Sequence, residues 1–419
     1  MDVLDYFLQR THEIGKREKV EKIVSSEDLL NLIKNSEVRE IVDSVYEIGN
    51  EKVIDIQYIA TLYNIVLKYS SKFETLRVIC EEKYAILEFV KNNEKAIFFI
   101  LENCANELGE SLGRIEAMSI YDSMHLFYEE RKLSQHINFI KSNHRDQKLL
   151  NAINASWSEY FIRNAAESKT KLFRILKDKD RGDYFLKSVN TLRYKEYGIA
   201  ETFALTMLEL DRLKASESYQ LTITSLAISE ARIEFTIATN KEYIIDGMGI
   251  LNSSITVRNV DQGNTSLGFY STINFQLEKE IGDKIYLYPN KQIEDIKFVK
   301  TLQHTITATK FVESHNIIGH LIGEVDRVYS DIHFLKNKHT PDELRAKIFE
   351  RVGTQRGMFK DVENLSDLFR KDVDNEISNI KQLLKLCSRA EDLNMEYDTK
   401  FRLRYLISNV LLYGKDDLE

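Results

Sequence analysis

The sequence predicts an α+β fold that is predominantly α-helical, and three observations predict it. Only two prolines, Pro289 and Pro341, occur in 419 residues, where background usage near ~5% would supply about twenty. Proline interrupts helix interiors and central strands, so its scarcity implies long unbroken elements. Apolar residues recur at three- and four-residue intervals through most of the chain, the spacing that lines one helix face. Between residues 218 and 290 the pattern changes to polar–apolar alternation, which marks half-buried strands. Three regions result: a helical bundle over 1–217, an antiparallel β-rich module, sheet or sandwich, over 218–290, and a C-terminal helical region over 291–419.

In the first region Ser25-Ser26-Glu27-Asp28 reads as an N-cap followed by an acidic first turn, where negative charge meets the positive end of the helix dipole. Val53 to Tyr69 carries apolar residues around more than one face and predicts a helix enclosed by others. Leu76 to Val90 and Ala96 to Leu101 continue the helical reading. No repeat with a period of ~20–50 residues recurs, which disfavours a solenoid.

The middle region alternates over Tyr219–Thr224, Arg232–Ile237, Ser254–Val260 and Tyr270–Leu277, and closes with Lys284–Tyr288. Asp261-Gln262-Gly263-Asn264 supplies a turn that makes the third and fourth segments a hairpin. Beyond 291, Phe311, Ile318 and Ile322 form a stripe beside Gly319 and Gly323, small residues that let another helix approach. Thr340-Pro341-Asp342-Glu343 is a helix start with a capping hydroxyl and proline at the first position. Leu365, Phe369, Val373, Ile377, Ile380 and Leu384 then follow three-four spacing, as in a coiled-coil-like hairpin or a seam for a protein partner or second copy. The last helix, about Asp398 to Tyr413, packs back on it.

Charge and cysteine usage exclude several classes. Lys plus Arg number 58 against 66 Asp plus Glu, a formal charge of −8, which opposes the global footprint of a duplex-coating protein. Three scattered cysteines, without a CxxC pair, make neither a disulfide scaffold nor a cysteine zinc module. No signal-peptide pattern and no charge-free apolar run of ~18 residues occurs, so a cytoplasmic protein without a membrane partner is expected. Phosphate-loop, dinucleotide, GxSxG and HExxH signatures are missing, and no cofactor is expected.

Three candidate sites remain. Five of the nine histidines, His304, His315, His320, His333 and His339, cluster in the C-terminal region. On a helix His320 and Glu324 share a face and could hold a metal for a hydrolase. At about 100° per residue, however, His315 and His333 point elsewhere, and His315 falls on the apolar stripe as a core histidine would. Arg131 and His136 have a spacing that could place a phosphate-stabilising arginine near a proton-transferring histidine on a helix, as in a nuclease. A second such pair, Arg327 and His333, brings the number of matches only to what chance supplies. The segment 141–181 holds ten Lys or Arg against five acids. On one helix, Arg163, Lys171, Arg174, Lys177 and Arg181 would form a basic stripe for nucleic acid, partly neutralised by Glu167 and Asp178. Because none of these displaces an ordinary structural reading, the expected function is a non-enzymatic interaction or assembly subunit of a multi-protein system such as those of bacteria and phages. The alternatives are a nucleic-acid-binding effector or nuclease using 141–181, and a metal-dependent hydrolase at His304–His339.

Overall fold

The structure is a computed structural model of the 419-residue chain. It describes residues 2–414 apart from 13, 15–22, 90–96, 122, 131, 143–146, 217–218, 246–248, 263–265, 278–283, 289–298, 323–338, 355–358, 361 and 372–376. Thirteen strands among the described residues build two separate sheets, so the chain is not predominantly α-helical.

The first sheet lies in the region expected to be a helical bundle. It comprises β2 (Phe73–Glu81), β3 (Ala85–Phe89), β4 (Ile97–Ala105), β5 (Ser111–Ser119), β6 (Thr170–Asp178) and β7 (Tyr184–Asn190). Its order is β2-β6-β7-β5-β4-β3, and a further β2–β4 pairing closes five of these strands into a barrel. All its pairings are antiparallel except β5–β7, which is parallel. The helices α4 (Ser123–Glu129), α5 (Ser134–Ser142) and α6 (Gln147–Arg163) fall between β5 and β6. Phe127, Tyr128, Trp157 and Phe161 from α4 and α6 join Phe99, Phe173 and Leu186 in the barrel core. Strands enclosed on both sides bury consecutive residues: in β6, Lys171 through Leu176 are all buried. A short continuous apolar run of that kind lacks alternation and cannot be told from a buried helix by periodicity. The apolar run Ile97–Leu101 of β4 reads as helix for that reason, whereas Leu76–Val90, also expected to be helical, holds the partly buried β2 and then β3.

The second sheet is the expected β-rich module, larger than its sequence pattern suggests. It runs β1 (Arg10–His12), β8 (Leu221–Ile228), β9 (Arg232–Ile245), β10 (Gly249–Val260), β11 (Ser266–Gln276) and β12 (Lys284–Leu287), with β13 (Val299–Gln303) also on β11. The hairpin around Asp261 forms as expected, with Ser254 opposite Thr272. The sheet curls, and residues such as Phe235, Ile255, Val257 and Phe269 pack on α7 (Ile199–Ser216). Phe203, Ala204, Leu205, Met207 and Leu210 leave α7 buried all round. Its polar residues are therefore satisfied internally: Thr202 and Thr206 donate to the carbonyls of Gly198 and Thr202 at 2.9 and 2.7 Å. Leu213 at the end of α7 sits against Gly319, where an added Cβ would come within 2.8 Å of its Cδ2, so the small residue does admit a close neighbour.

Three helices precede the barrel: α1 (Ser26–Leu32), α2 (Ser36–Val45) and α3 (Ile59–Lys72). The Ser25 cap forms a capping box with Asp28, as the sequence signals. Another short helix, α8 (Ala308–Ser314), adds Phe311 and Val312 to the core around α7. At the C-terminus, α9 (Pro341–Thr354) starts where Thr340 caps it. After a single turn at Leu365–Leu368 come α10 (Ile380–Glu391) and α11 (Tyr397–Tyr413). The expected coiled-coil-like helix over 365–387 is thus two separate pieces. Leu365, Phe369, Ile377 and Leu384 are buried, and Ile380 half-buried, in a core shared with Leu251, Phe275 and Ile285 of the sheet; Val373 lies outside the described residues. The stripe expected to be a partner seam is the chain's own interior.

Candidate functional site

Where the barrel meets the curled sheet, residues distant in sequence converge on a buried ionic network. In β6, Phe173 and Ile175 belong to the barrel core, while Arg174 and Leu176 alternate to the side facing the curled sheet. Opposite them, Arg174 pairs with Ser188 and Ile175 with Leu186, so Lys187 is the extra residue of a β-bulge. Bulges re-aim side chains, and Lys187 enters the same network as Arg174. The sheet contributes Glu230 from the β8–β9 turn, Asn259 at the end of β10, and Asp261 just beyond it. Tyr194 and Glu196 come from the segment between β7 and α7, and His304 from the end of β13.

Asp261 is the centre. Its Oδ2 accepts from Arg174 Nη2 at 2.5 Å and Lys187 Nζ at 2.8 Å, and its Oδ1 accepts from Tyr194 Oη at 2.7 Å. Arg174 also donates to the Asp261 carbonyl at 3.2 Å and to Glu196 at 2.5 Å. Lys187 reaches Glu230 Oε1 at 2.9 Å. Tyr194 lies beneath the Arg174 guanidinium, 4.6 Å from ring centroid to Cζ, and stacks on His304 at 5.2 Å. The His304 Nε2 is 3.1 Å from Asn259 Oδ1, which fixes that nitrogen as the donor.

Burial and pairing oppose each other here. Burial by itself would raise the Asp261 carboxyl, but Arg174 and then Lys187 hold it below the usual carboxylate range. Burial would likewise discharge Lys187, yet Asp261 and Glu230 raise it. For Glu230 burial prevails over Lys187, and its carboxyl is raised; for His304 burial prevails over Asp261, and its imidazole is lowered. Two buried cations, Arg174 and Lys187, thus face the carboxyl groups of Asp261, Glu196 and Glu230. Burial of so many charges is tolerable only with such pairing.

The network links two cavities. One, of about 530 Å³, includes Lys187, Glu230 and Asp261 in its wall and reaches Gly198–Glu201 at the start of α7. The other, of about 450 Å³, is lined by Tyr194, His304, Asn190 and Lys171. Three buried polar atoms of the network lack hydrogen-bond partners among the described residues, Arg174 Nε, Glu230 Oε2 and His304 Nδ1; Glu230 belongs to the wall of the first cavity and His304 to that of the second.

The residues singled out from sequence are dispersed. Arg163 is exposed and paired with Glu159, Lys171 is buried 2.5 Å from Glu130, Arg174 is 0% exposed, Lys177 lies over the Tyr184 ring, and Arg181 is exposed in the β6–β7 turn. The basic stripe therefore does not exist: 170–178 is a strand, which sends successive side chains to opposite faces. His136 is exposed on α5, and Arg131 lies outside the described residues. His320 is exposed, while Glu324 and His333 lie outside the described residues. His315 is a core histidine whose Nδ1 is 3.0 Å from the Phe311 carbonyl. Among the described residues no group of three His, Cys, Asp or Glu side chains is arranged to hold a metal. Asp261 was legible only as a turn residue, and Lys187 and Glu230 carried no motif. The one local signal was a single cation within an apolar run, as in Leu172-Phe173-Arg174-Ile175-Leu176 and Phe185-Leu186-Lys187. Comparison with protein-family models, curated proteins and solved structures finds no match.

Proposed function

We propose that the chain is an interaction protein whose barrel presents the β4–β5 hairpin to a protein partner, as a subunit of a larger assembly. The observation that carries this reading is the hairpin tip. Asn106 Oδ1 accepts the backbone N–H groups of Leu108 and Glu110 at 3.0 and 2.9 Å, and that turn holds Leu108 84% exposed. An ordered tip that keeps a leucine in water loses little conformational freedom on docking. Leu112 is also exposed on the same hairpin. Five-stranded Greek-key barrels of the OB type bind ligands over their second and third strands and adjoining loops. By chain order β4 and β5 are the second and third strands of this barrel; that support is an analogy of architecture. Glu102, Glu110 and Glu116 against Arg114 make the hairpin acidic, Glu107 being paired with Arg77, which favours a partner with a basic and apolar face over a phosphate backbone.

The test is affinity capture with the full chain and with a Leu108→Asp/Leu112→Asp variant. A partner retained at stoichiometric yield by the first and released by the second is expected. Equal recovery by both overturns the reading, as does salt-sensitive binding of single-stranded DNA or RNA by both, which would restore the nucleic-acid alternative.

A further inference from the structure

The cavity at the start of α7 has the chemistry of a ligand site. Lys34, Lys179 and Lys195 line it. Lys34 and Lys179 donate to the carbonyls of Ser70 and Ser71 at the end of α3, and Lys195 makes no side-chain bond among the described residues. An ammonium carries three donors, so each retains capacity for a ligand. Lys34 is exposed and its ammonium has no salt bridge among the described residues; partial desolvation lowers its pKa while Glu201 opposes, a cost that a bound anion would reduce. Gly198, Ile199 and Ala200, the first turn of the 18-residue α7, lie in the same wall, and a helix N-terminus favours negative charge.

The carboxylates of the cavity are mostly committed elsewhere. Asp261 and Glu196 are held by Arg174, Glu107 by Arg77 at 2.8 Å, and Glu201 by the backbone N–H groups of Lys34 and Gly198, each at 3.1 Å. Glu74 is exposed at the mouth. Glu230 is the exception: its side chain is only 9% exposed and its Oε2 has no partner among the described residues. An unsatisfied buried oxygen in a cavity wall calls for a ligand group that can bond to it. Tyr69 and Phe73 add apolar surface, and about 530 Å³ suits a small molecule rather than a polymer.

We infer that this cavity binds a small phosphate ester, with the phosphate between Lys34, Lys179, Lys195 and the start of α7, and a hydroxyl or amine of the same molecule bonded to Glu230. The inference does not depend on the partner proposed for the hairpin, since it is tested on the isolated full-length chain.

Ribose 5-phosphate and ribose serve as probes in isothermal titration calorimetry. Saturable binding of ribose 5-phosphate, no binding of ribose, and a loss of affinity of about tenfold or more in a Lys179→Ala/Lys195→Ala variant are expected. Both lysines are exposed, so the variant should melt at the wild-type temperature. On the unaltered chain, affinity should also fall as salt rises from about 50 to about 500 mM. Failure of ribose 5-phosphate to bind, equal binding of ribose, unchanged affinity in the variant, or indifference to salt would each overturn the inference.

Discussion

His315 shows how far one buried ring can set a pH response. It is enclosed beside Phe269 and Phe311, and burial lowers its pKa to about 4 from an ordinary value of 6.5, with hydrogen bonding to the Phe311 backbone opposing. The unfolded chain therefore binds a proton at this ring that the folded chain refuses between those two values. Stability from the neutral ring is full above pH ~6.5 and is lost as the pH falls toward 4, by about 3 kcal/mol from this group. Replacing His315 by Leu should flatten that part of the profile. Denaturant unfolding of both proteins at pH 7, 5.5 and 4.5 measures it; a slope equal in the two would refute the assignment. The position of His315 on an apolar stripe made its core role legible from sequence. The apolar residues on either side of Arg174 were the only local sign of its burial, because its partners Asp261 and Glu196 come from other parts of the chain.

At the scale of elements, local chemistry was a good guide wherever a cap, a turn or polar–apolar alternation marks the element, even where the alternating Ser and Thr are themselves buried. The Ser25 and Thr340 caps and the strands of the curled sheet formed as their sequences indicate. The barrel strands did not announce themselves: β6 and β7 are buried on both faces and lose period-two alternation, and β4 begins with a continuous apolar run, Ile97–Leu101. Glycine at the start of β10 illustrates a tertiary demand on one position. Gly249 has φ +145°, and an added Cβ would stand 2.2 Å from the Gln276 carbonyl oxygen of the neighbouring β11. A Gly249→Ala substitution should cost about 1–3 kcal/mol through strain and a displaced β10–β11 pair. A thermal melt of the variant tests this, and an unchanged midpoint would show that the hairpin relaxes at no cost.

For the molecule as a whole, the network around Asp261 joins barrel to sheet. Removing Asp261 would leave Arg174 and Lys187, both buried, as cations without their shared anion, so Asp261→Ala should destabilise the fold by about 3–5 kcal/mol. Arg163→Ala, which breaks an exposed pair with Glu159, should have no measurable effect. Equilibrium unfolding in urea compares the two, and equal midpoints would mean that the network contributes no net stability. No helix among the described residues is long and apolar enough to cross a membrane. Sequence by itself determined the local elements of the curled sheet, the helix caps and the buried histidine, because caps, turns and alternating strands write their geometry into neighbouring residues. Only the tertiary structure decided that a barrel stands where helices were expected, that the Leu365–Leu384 stripe is interior, and that Arg174 meets Asp261 across 87 positions. Barrel closure and ion pairing depend on which distant strands lie side by side, a choice made by packing rather than by the residues adjacent in the chain.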